Sequence, residues 1–159
     1  MGSYARTIFE AEISQWLRSG GEVESLCGNC RKLAGVIAPR GVNDVQRIVY
    51  AASKARGAVK LQPLSCGKNW GFGSGLPTGN ETYILDLSGL RRIRSLSVSG
   101  HCAELEAGVT QGSLDEALRA EGQSHYFNVT GAGLEASVIG NALERGIGYS
   151  GHRHLDLLD

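Results

Sequence analysis

The sequence predicts an α+β fold built as two small subdomains, and three observations carry that prediction. A strand–helix–strand pattern runs over 36–63, a long glycine-rich loop follows over 63–80, and further strands and helices fill the remainder. A helix between two strands is typical of a compact βαβ unit. We therefore expect a first subdomain at 35–87 and a partial second α+β subdomain at 88–159, both preceded by an N-terminal helix and loop at 1–34.

The N-terminal segment has the apolar spacing of a short amphipathic helix. Four apolar residues recur at helical intervals: Phe9, Ile13, Trp16 and Leu17. Ser19 and two following glycines stop this run, as expected at a helix end. Residues 20–35 are expected to be loop.

The first subdomain begins with a predicted strand at 35–39, which Pro39 closes. Asn43 and Asp44 offer a side-chain cap for the next helix, which should end near Gly57. One face of that helix is apolar: Val45, Ile48, Val49 and Ala52. Residues 59–62 alternate in polarity, which predicts the second strand of the unit.

The second half of the chain alternates shorter patterns. Strands are expected at 83–87, 93–98 and 102–107, with an extended segment at 126–129 and a strand beginning at 155–158. Ser113 and Glu116 fit a capping box for a helix that Gly122 ends. A further helix is expected from Ser137 to Arg145.

Charge and hydropathy exclude several classes of protein. Sixteen basic residues balance 16 acidic residues, whereas a nucleic-acid binder needs clustered positive charge. No run of about 18 apolar residues exists, so no transmembrane helix is expected. The first residues lack the apolar core of a secretory signal, which predicts a cytoplasmic location.

The cysteines do not form a metal-ligand pattern. Cys27 and Cys30 make a CxxC pair, but no second pair stands at the spacing that a structural zinc site requires. His152 and His154 lack further ligands. We predict no metal site and expect the four cysteines to be reduced, mostly buried thiols.

The loop at 63–75 is the sharpest chemical feature. The chain has 23 glycines in 159 residues, and many cluster here. Successive amide groups in a glycine-rich turn form a concave nest that attracts anions. The side chains of Ser65 and Asn69 can add donors, and Lys68 can add charge. A diphosphate ligand fits these features, and the alternative is a surface loop with incidental glycines.

A second glycine segment, 131–136, fits the GxGxx[GA] fingerprint of dinucleotide-binding folds, with Asp156 twenty residues beyond. That fingerprint requires a completed βαβ unit, which is not evident after it. The match is therefore weak evidence for NAD.

Three segments of the chain resemble one known family. They are Val36–Val49, Pro63–Gly73 and Ser137–Tyr149, and Ile84–Leu87 and Leu105–Thr110 match between them in the same order. Together they resemble the flavin domain of the vanillyl-alcohol oxidase / p-cresol methylhydroxylase superfamily, the PCMH-type FAD-binding domain. Within that superfamily the sequence looks most like the branch that oxidises para-substituted phenols.

The resemblance implies a noncovalently held FAD. The implied cofactor-binding residues are Leu64, Ser65, Cys66, Gly67, Lys68, Asn69, Gly71, Gly131, Gly140, Asn141, Gly146 and Tyr149. Lys68 stands where relatives with a covalent flavin have a histidine. Ala132 aligns with a carboxylate that some alcohol-oxidising relatives hold near the flavin, so no catalytic acid or base is carried over.

The resemblance also implies a flavoprotein oxidoreductase that removes a hydride from a small phenolic or alcohol substrate. The chain is shorter than the family's flavin domain. We expect a missing C-terminal part, a second polypeptide or self-association to complete it, because an unfinished sheet exposes unpaired strand edges. The alternative is a cofactor-free or non-redox protein that reuses half of the scaffold as a small enzyme or interaction subunit.

Overall fold

A computed structural model describes residues 2–18, 22–24, 30–68, 77, 79–97, 99–122, 129–144 and 146. The chain forms two compact units, Met1–Leu64 with Phe72–Gly89, and Ser65–Gly71 with Leu90–Asp159. Each unit buries an apolar cluster of its own. The mixed sheet and helices confirm the α+β class.

The described part of the first unit contains two helices and five strands. They are α1 (Gly2–Glu12), β1 (Leu17–Arg18), β2 (Glu22–Glu24), β3 (Cys30–Ile37), α2 (Val42–Lys54), β4 (Lys60–Leu64) and β5 (Thr82–Asp86). The sheet order is β1-β3-β5-β4, and β2 pairs with another part of β3. Strands β3, β5 and β4 are parallel, whereas β1 and β2 run antiparallel to β3.

The predicted strand–helix–strand unit is present as β3, α2 and β4. These two strands are not neighbours, because β5 lies between them and pairs with both. A strand with partners on both sides is buried, and four consecutive β5 residues from Thr82 to Leu85 are buried. The carboxyl ends of the parallel strands share one edge of the sheet, and the glycine-rich loop begins there, after Leu64.

The N-terminal segment differs from its predicted form. The helix ends at Glu12, and Ile13 and Trp16 are buried in the turn that follows it. Leu17 then pairs with Ile37 of β3, because the chain leaves the helix to add an antiparallel strand to the sheet. The loop expected at 20–35 was wrong in part, since β2 and the first half of β3 occupy it.

The predicted cap of α2 was also wrong. The N-cap residue is Gly41, in extended backbone, and it makes no side-chain cap bond. The Asp44 carboxylate instead accepts a hydrogen bond of 2.9 Å from the Arg40 amide. The carboxylate therefore fastens the turn before the helix and also lies in the first turn, where negative charge favours the helix dipole.

The second unit contains a two-stranded ribbon and two helices in its described part. They are β6 (Ile93–Ser97), β7 (Cys102–Leu105), α3 (Gln111–Ala120) and α4 (Val138–Leu143). The two strands pair antiparallel. The buried cluster is Val109, Leu114 and Leu118, with Ile93, Leu96, Leu105 and Val138 packed against it.

Helix α3 begins three residues earlier than the sequence pattern predicts. Thr110 is the N-cap and Ser113 is its N3 partner, so Ser113 closes a capping box rather than opening one. The prediction of Ser113 with Glu116 was wrong because Ser113 can fill either role, and only Thr110 lies where the helix begins. Gly122 follows the helix with φ +67°, as its predicted terminating role requires.

Several predictions fall outside the described residues: the extended segment before Val129, the strand at 155–158, the CxxC residue Cys27, and both histidines of 152–154. The cysteine prediction was wrong at Cys102, whose side chain is exposed. Across the described ranges, no helix combines the length and apolar character needed to cross a bilayer. The domain boundaries predicted from the sequence stay a prediction.

Candidate cofactor-binding site

The loop that follows β4 turns sharply at Gly67. Its φ of +64° lies in the left-handed region, which side chains disfavour and glycine tolerates. The amides of Gly67 and Lys68 donate no hydrogen bond to any acceptor that the structure describes. Amide groups in such a turn can therefore bind an anion, as the glycine pattern predicts.

A pair of serine hydroxyls joins this loop to the second predicted cofactor segment. Ser65 Oγ lies 2.6 Å from Ser137 Oγ, although the residues are 72 positions apart. Ser137 is fully buried and is the N-cap of α4, where its hydroxyl accepts a 2.9 Å hydrogen bond from the Gly140 amide. The cap thus fixes the start of α4 and the start of the loop together.

The next loop residue is held by a separate contact. The Cys66 thiol donates to the carbonyl oxygen of Gly108 at 3.6 Å. The Gly108 amide in turn donates to the Leu90 carbonyl oxygen at 2.7 Å. The loop is therefore anchored to the chain that leads into α3.

A buried carboxylate stabilises that anchor. The Glu106 side chain is 4% exposed and pairs with Arg92 at 2.9 Å. Hydrogen bonds from the Arg92 amide and guanidinium hold the pKa of Glu106 below its usual range. Arg94 lies 3.6 Å from the same carboxylate. Arg92 and Arg94 thus fix the segment before Gly108 through this carboxylate.

The glycine segment at 131–136 forms a turn over the beginning of α3. The Gln111 amide donates to the Ala136 carbonyl oxygen at 2.8 Å, and the Gly112 amide donates to that of Leu134 at 2.9 Å. The Gln111 side chain, 1% exposed, bonds to the same turn. Nothing in the sequence spacing pointed to this glutamine.

Helix α4 presents two of the predicted residues, Gly140 and Asn141. Asn141 is 5% exposed, and its carbonyl oxygen accepts a 2.8 Å hydrogen bond from the Gly146 amide. A Cβ at Gly146 would lie 2.1 Å from Asn141 Oδ1. Gly146 is therefore required for close approach to that side chain.

Two opposite charges flank the site. Lys68 Nζ lies 3.8 Å from Glu135 Oε2, and the side chains are 60% and 82% exposed. An exposed, loose pair of this kind contributes about 0–1 kcal/mol. Lys68 therefore remains available to bind an anion, whereas the negative charge of Glu135 repels an anion.

The structure brings most of the predicted site residues into this part of the second unit. Ser65, Gly140 and Asn141 contact the Ser137 cap, and Cys66–Lys68 continue the loop from Ser65, whereas Gly131 occupies the exposed turn and Leu64 ends β4 in the first unit. Asn69, Gly71 and Tyr149 lie outside the described residues. No cluster of His, Cys, Asp and Glu suited to a metal ion occurs among the described residues.

The chain was compared with known families and curated proteins. Residues 33–158 match the family described as FAD binding domain. The 1'-carboxy-chondrochloren decarboxylase of Chondromyces crocatus is 33% identical over 117 residues, or 74% of this chain. The flavoprotein subunit of 4-cresol dehydrogenase [hydroxylating] from Pseudomonas putida is 27% identical over 109 residues, or 69% of this chain. The matched segments span 21% and 20% of those proteins, so the aligned part of this chain corresponds to about a fifth of their length.

A comparison with solved structures gives the same architecture. The crystal structure of p-cresol methylhydroxylase with substrate bound matches 92% of this chain and 30% of its own, with a TM-score of 0.76. The two sequences are 21% identical over this match, so it shows the fold alone.

Proposed function

The chain belongs to the FAD-binding domain family and is a PCMH-type domain of the vanillyl-alcohol oxidase / p-cresol methylhydroxylase superfamily, and we propose that it binds the FAD diphosphate between its glycine loop and the 131–146 segment. The cofactor of this flavoprotein oxidoreductase family is FAD. The observation that carries the proposal is the 2.6 Å contact of Ser65 with Ser137, which joins the two segments.

The residues present fit a diphosphate. Gly67 supplies left-handed backbone, and the amides of Gly67 and Lys68 donate to no acceptor in the described part of the chain. Lys68 adds an exposed positive charge. A diphosphate accepts hydrogen bonds through several oxygens, so backbone amides and one ammonium group match its chemistry.

We propose one role for each group of residues. The amides of 64–69 and Gly71 bind the diphosphate, while Gly131, Gly140, Asn141, Gly146 and Tyr149 line the remaining contact. Ser137 and Cys66 hold the loop in place through their contacts with Ser65 and Gly108. Bound FAD supplies the hydride-accepting chemistry, and the protein orients it. Noncovalent attachment is part of the proposal, since Lys68 replaces the histidine expected for one covalent linkage.

The proposed reaction is oxidation of a small phenolic or alcohol substrate. It is supported by the likeness to the 4-cresol dehydrogenase flavoprotein subunit. Because this chain matches about a fifth of that protein, we propose that further polypeptide, in the same or another chain or a second copy, recognises the substrate. A cytoplasmic location stays a prediction.

A second reaction is favoured by one observation. The relative that is 33% identical is named as a decarboxylase. A carboxylated substrate is therefore the alternative to a phenol. Supplying the FAD-loaded, completed enzyme with 4-cresol or with a carboxylated phenol distinguishes the two, because only the second releases CO₂ and only the first yields an oxidised side chain.

The cofactor proposal is tested with one loop variant. Gly67→Val introduces a β-branched side chain at φ +64° where the diphosphate is expected. The variant should therefore no longer quench the fluorescence of FAD in a titration. Gly122→Val is the matched control, because Gly122 has φ +67° and lies beyond α3. Both variants should lose about 1–3 kcal/mol of stability from backbone strain.

The two results separate binding from folding. Loss of FAD binding in folded Gly67→Val, with binding kept in Gly122→Val, supports the proposed diphosphate site in the glycine loop (the cradle). Wild-type affinity in Gly67→Val contradicts it. A wild-type chain that stays colourless with FAD supports instead the non-redox alternative.

A further inference from the structure

We infer that Gln111 is a positioning residue for FAD, which fixes the turn at 130–136 (the glycine turn) in the conformation that receives the cofactor. The inference rests on the proposed function. It deepens that function by naming a residue that the motif and the family resemblance did not single out.

The Gln111 side chain makes three hydrogen bonds to this turn. Its Oε1 accepts from the Thr130 amide at 2.8 Å. Its Nε2 donates to the Gly133 carbonyl oxygen at 3.0 Å and to Thr130 Oγ1 at 3.2 Å. Both donors and the oxygen of this buried carboxamide are therefore in use, so its position and that of the turn are specified together.

The backbone around Gln111 adds to the same connection. The amides of Gln111 and Gly112 bond to the turn at Ala136 and Leu134. A Cβ at Gly112 would lie 3.2 Å from both Leu134 Cβ and its carbonyl oxygen, tighter than an ordinary contact. The turn therefore lies directly on the first residues of α3.

Apart from Ala136, which is fully buried, little apolar packing holds the glycine turn. Gly131, Gly133 and Glu135 are exposed, and Leu134 is 69% exposed. Since burial contributes little, hydrogen bonds must define its conformation. The amides of 131–133 make no hydrogen bond within the described structure, and Gly133 has φ +88°. Gln111 thus engages the inner polar groups of the turn and leaves these amides for a ligand.

The turn connects directly to the rest of the site. It ends at Ala136, and the next residue is Ser137, the fully buried cap that contacts Ser65. A shift of the turn would change the path into this cap. Gln111 therefore acts on cofactor binding through the turn, without itself touching the ligand.

The test replaces Gln111 by methionine, which has similar length but makes none of the three hydrogen bonds. FAD affinity is measured by fluorescence quenching, and the visible circular dichroism of the bound flavin reports its orientation. We expect Gln111→Met to bind FAD about tenfold more weakly, the factor for 1.4 kcal/mol, with an altered flavin spectrum. Thr130→Ser keeps the backbone amide and the hydroxyl that bond to Gln111, so this variant should resemble the wild type.

Leu118→Val serves as the stability control. Leu118 belongs to the buried apolar cluster of the same unit, with Val109 and Leu114, and takes no part in the hydrogen bonds of Gln111. This variant should have a lower unfolding midpoint but wild-type FAD affinity and spectrum below that midpoint. If Gln111 had only a structural role, Gln111→Met would behave like this control.

The outcomes distinguish this inference from the cofactor proposal. If Gln111→Met keeps wild-type affinity and spectrum while Gly67→Val loses FAD, Gln111 has no positioning role and the cradle stands. If the wild type itself binds no FAD, the cradle and this inference both fail.

Discussion

Individual glycines in the site serve two different physical purposes. Gly67 and Gly133 have φ of +64° and +88°, so they are needed for backbone conformation. Gly146 is needed for space, because the Asn141 side chain occupies the volume of a Cβ. Any side chain is disfavoured at a glycine of the first kind. At a glycine of the second kind, a side chain is disfavoured only if the neighbouring residue cannot move.

Gly146→Ala tests the second kind. The added methyl would overlap the side chain of Asn141, which is 5% exposed and has little freedom to move. We expect a loss of about 1–3 kcal/mol in the free energy of unfolding, as for other overpacked sites, and weaker FAD binding. Urea unfolding and an FAD titration measure the two effects.

Gly41→Ala is the control, since a Cβ there meets nothing within 4 Å and its backbone is extended. It should keep wild-type FAD affinity. Equal affinity in Gly146→Ala and Gly41→Ala would show that Asn141 can be displaced without consequence for the cofactor.

At the scale of elements, α1 is attached to the sheet by polar and aromatic contacts around Tyr83 of β5. The Tyr83 ring packs edge-on against Phe9, with centroids 5.2 Å apart. Its hydroxyl donates to Glu10 and accepts a 2.9 Å hydrogen bond from Arg6. Arg6 also pairs with Glu81, which precedes β5. A side chain buried at 1% exposure thus connects the helix to the central strand.

The same contacts predict a change in stability at alkaline pH. Burial, reinforced by the hydrogen bond to Glu10, raises the pKa of Tyr83 to about 12. The folded state therefore holds this proton more tightly than the unfolded state, whose tyrosine pKa is about 10. The resulting stability is complete below pH of about 10 and disappears as pH rises to about 12. Tyr83→Phe should lose about 1–2 kcal/mol at neutral pH.

Urea unfolding across this pH range measures the difference between the wild type and Tyr83→Phe. The difference should shrink as pH rises through the window. Tyr50→Phe is the control, because Tyr50 is 64% exposed on α2 and its loss should change stability little at any pH. A constant difference between wild type and Tyr83→Phe would show that the hydroxyl does not titrate as inferred.

At the scale of the whole molecule, two units with separate apolar clusters make up the chain. The first is a parallel-centred sheet with its helices, and Leu64 is its only candidate cofactor residue among those described. The second contributes the loop, the glycine turn and α4. Ligand binding should therefore be visible in the stability of the chain, since a ligand stabilises whatever folded structure it requires.

FAD should raise the thermal unfolding midpoint, and riboflavin, which lacks the diphosphate, should raise it far less. At a concentration of about 100 times its Kd, a ligand adds about 2.7 kcal/mol, which corresponds to about 5–10 °C for a chain of this size. Differential scanning fluorimetry or circular dichroism measures the shift. Gly67→Val should show no shift with FAD.

Equal shifts with FAD and riboflavin would contradict the diphosphate cradle, because the isoalloxazine would then account for all of the binding. A shift with FAD in Gly67→Val would contradict the position of the cradle within the loop. Gly122→Val, with a similar φ, should respond to FAD as the wild type does.

Local pattern in the sequence determined a large part of this protein. The apolar face of α2, the strand β5, the start of α4 at Ser137 and the terminating Gly122 follow from spacing and residue type, because each depends on neighbours within a few positions. Family resemblance added FAD and the residues of the loop.

Tertiary structure decided the rest, because those features depend on contacts between distant parts of the chain. The insertion of β5 between β3 and β4 is a matter of sheet pairing, and so is the strand β1 that replaces the end of the predicted N-terminal helix. Gln111 and Thr130 are 19 positions apart, and Ser65 and Ser137 are 72 apart. Hydrogen bonds across such separations leave no periodic trace in the sequence, so only the folded chain shows them.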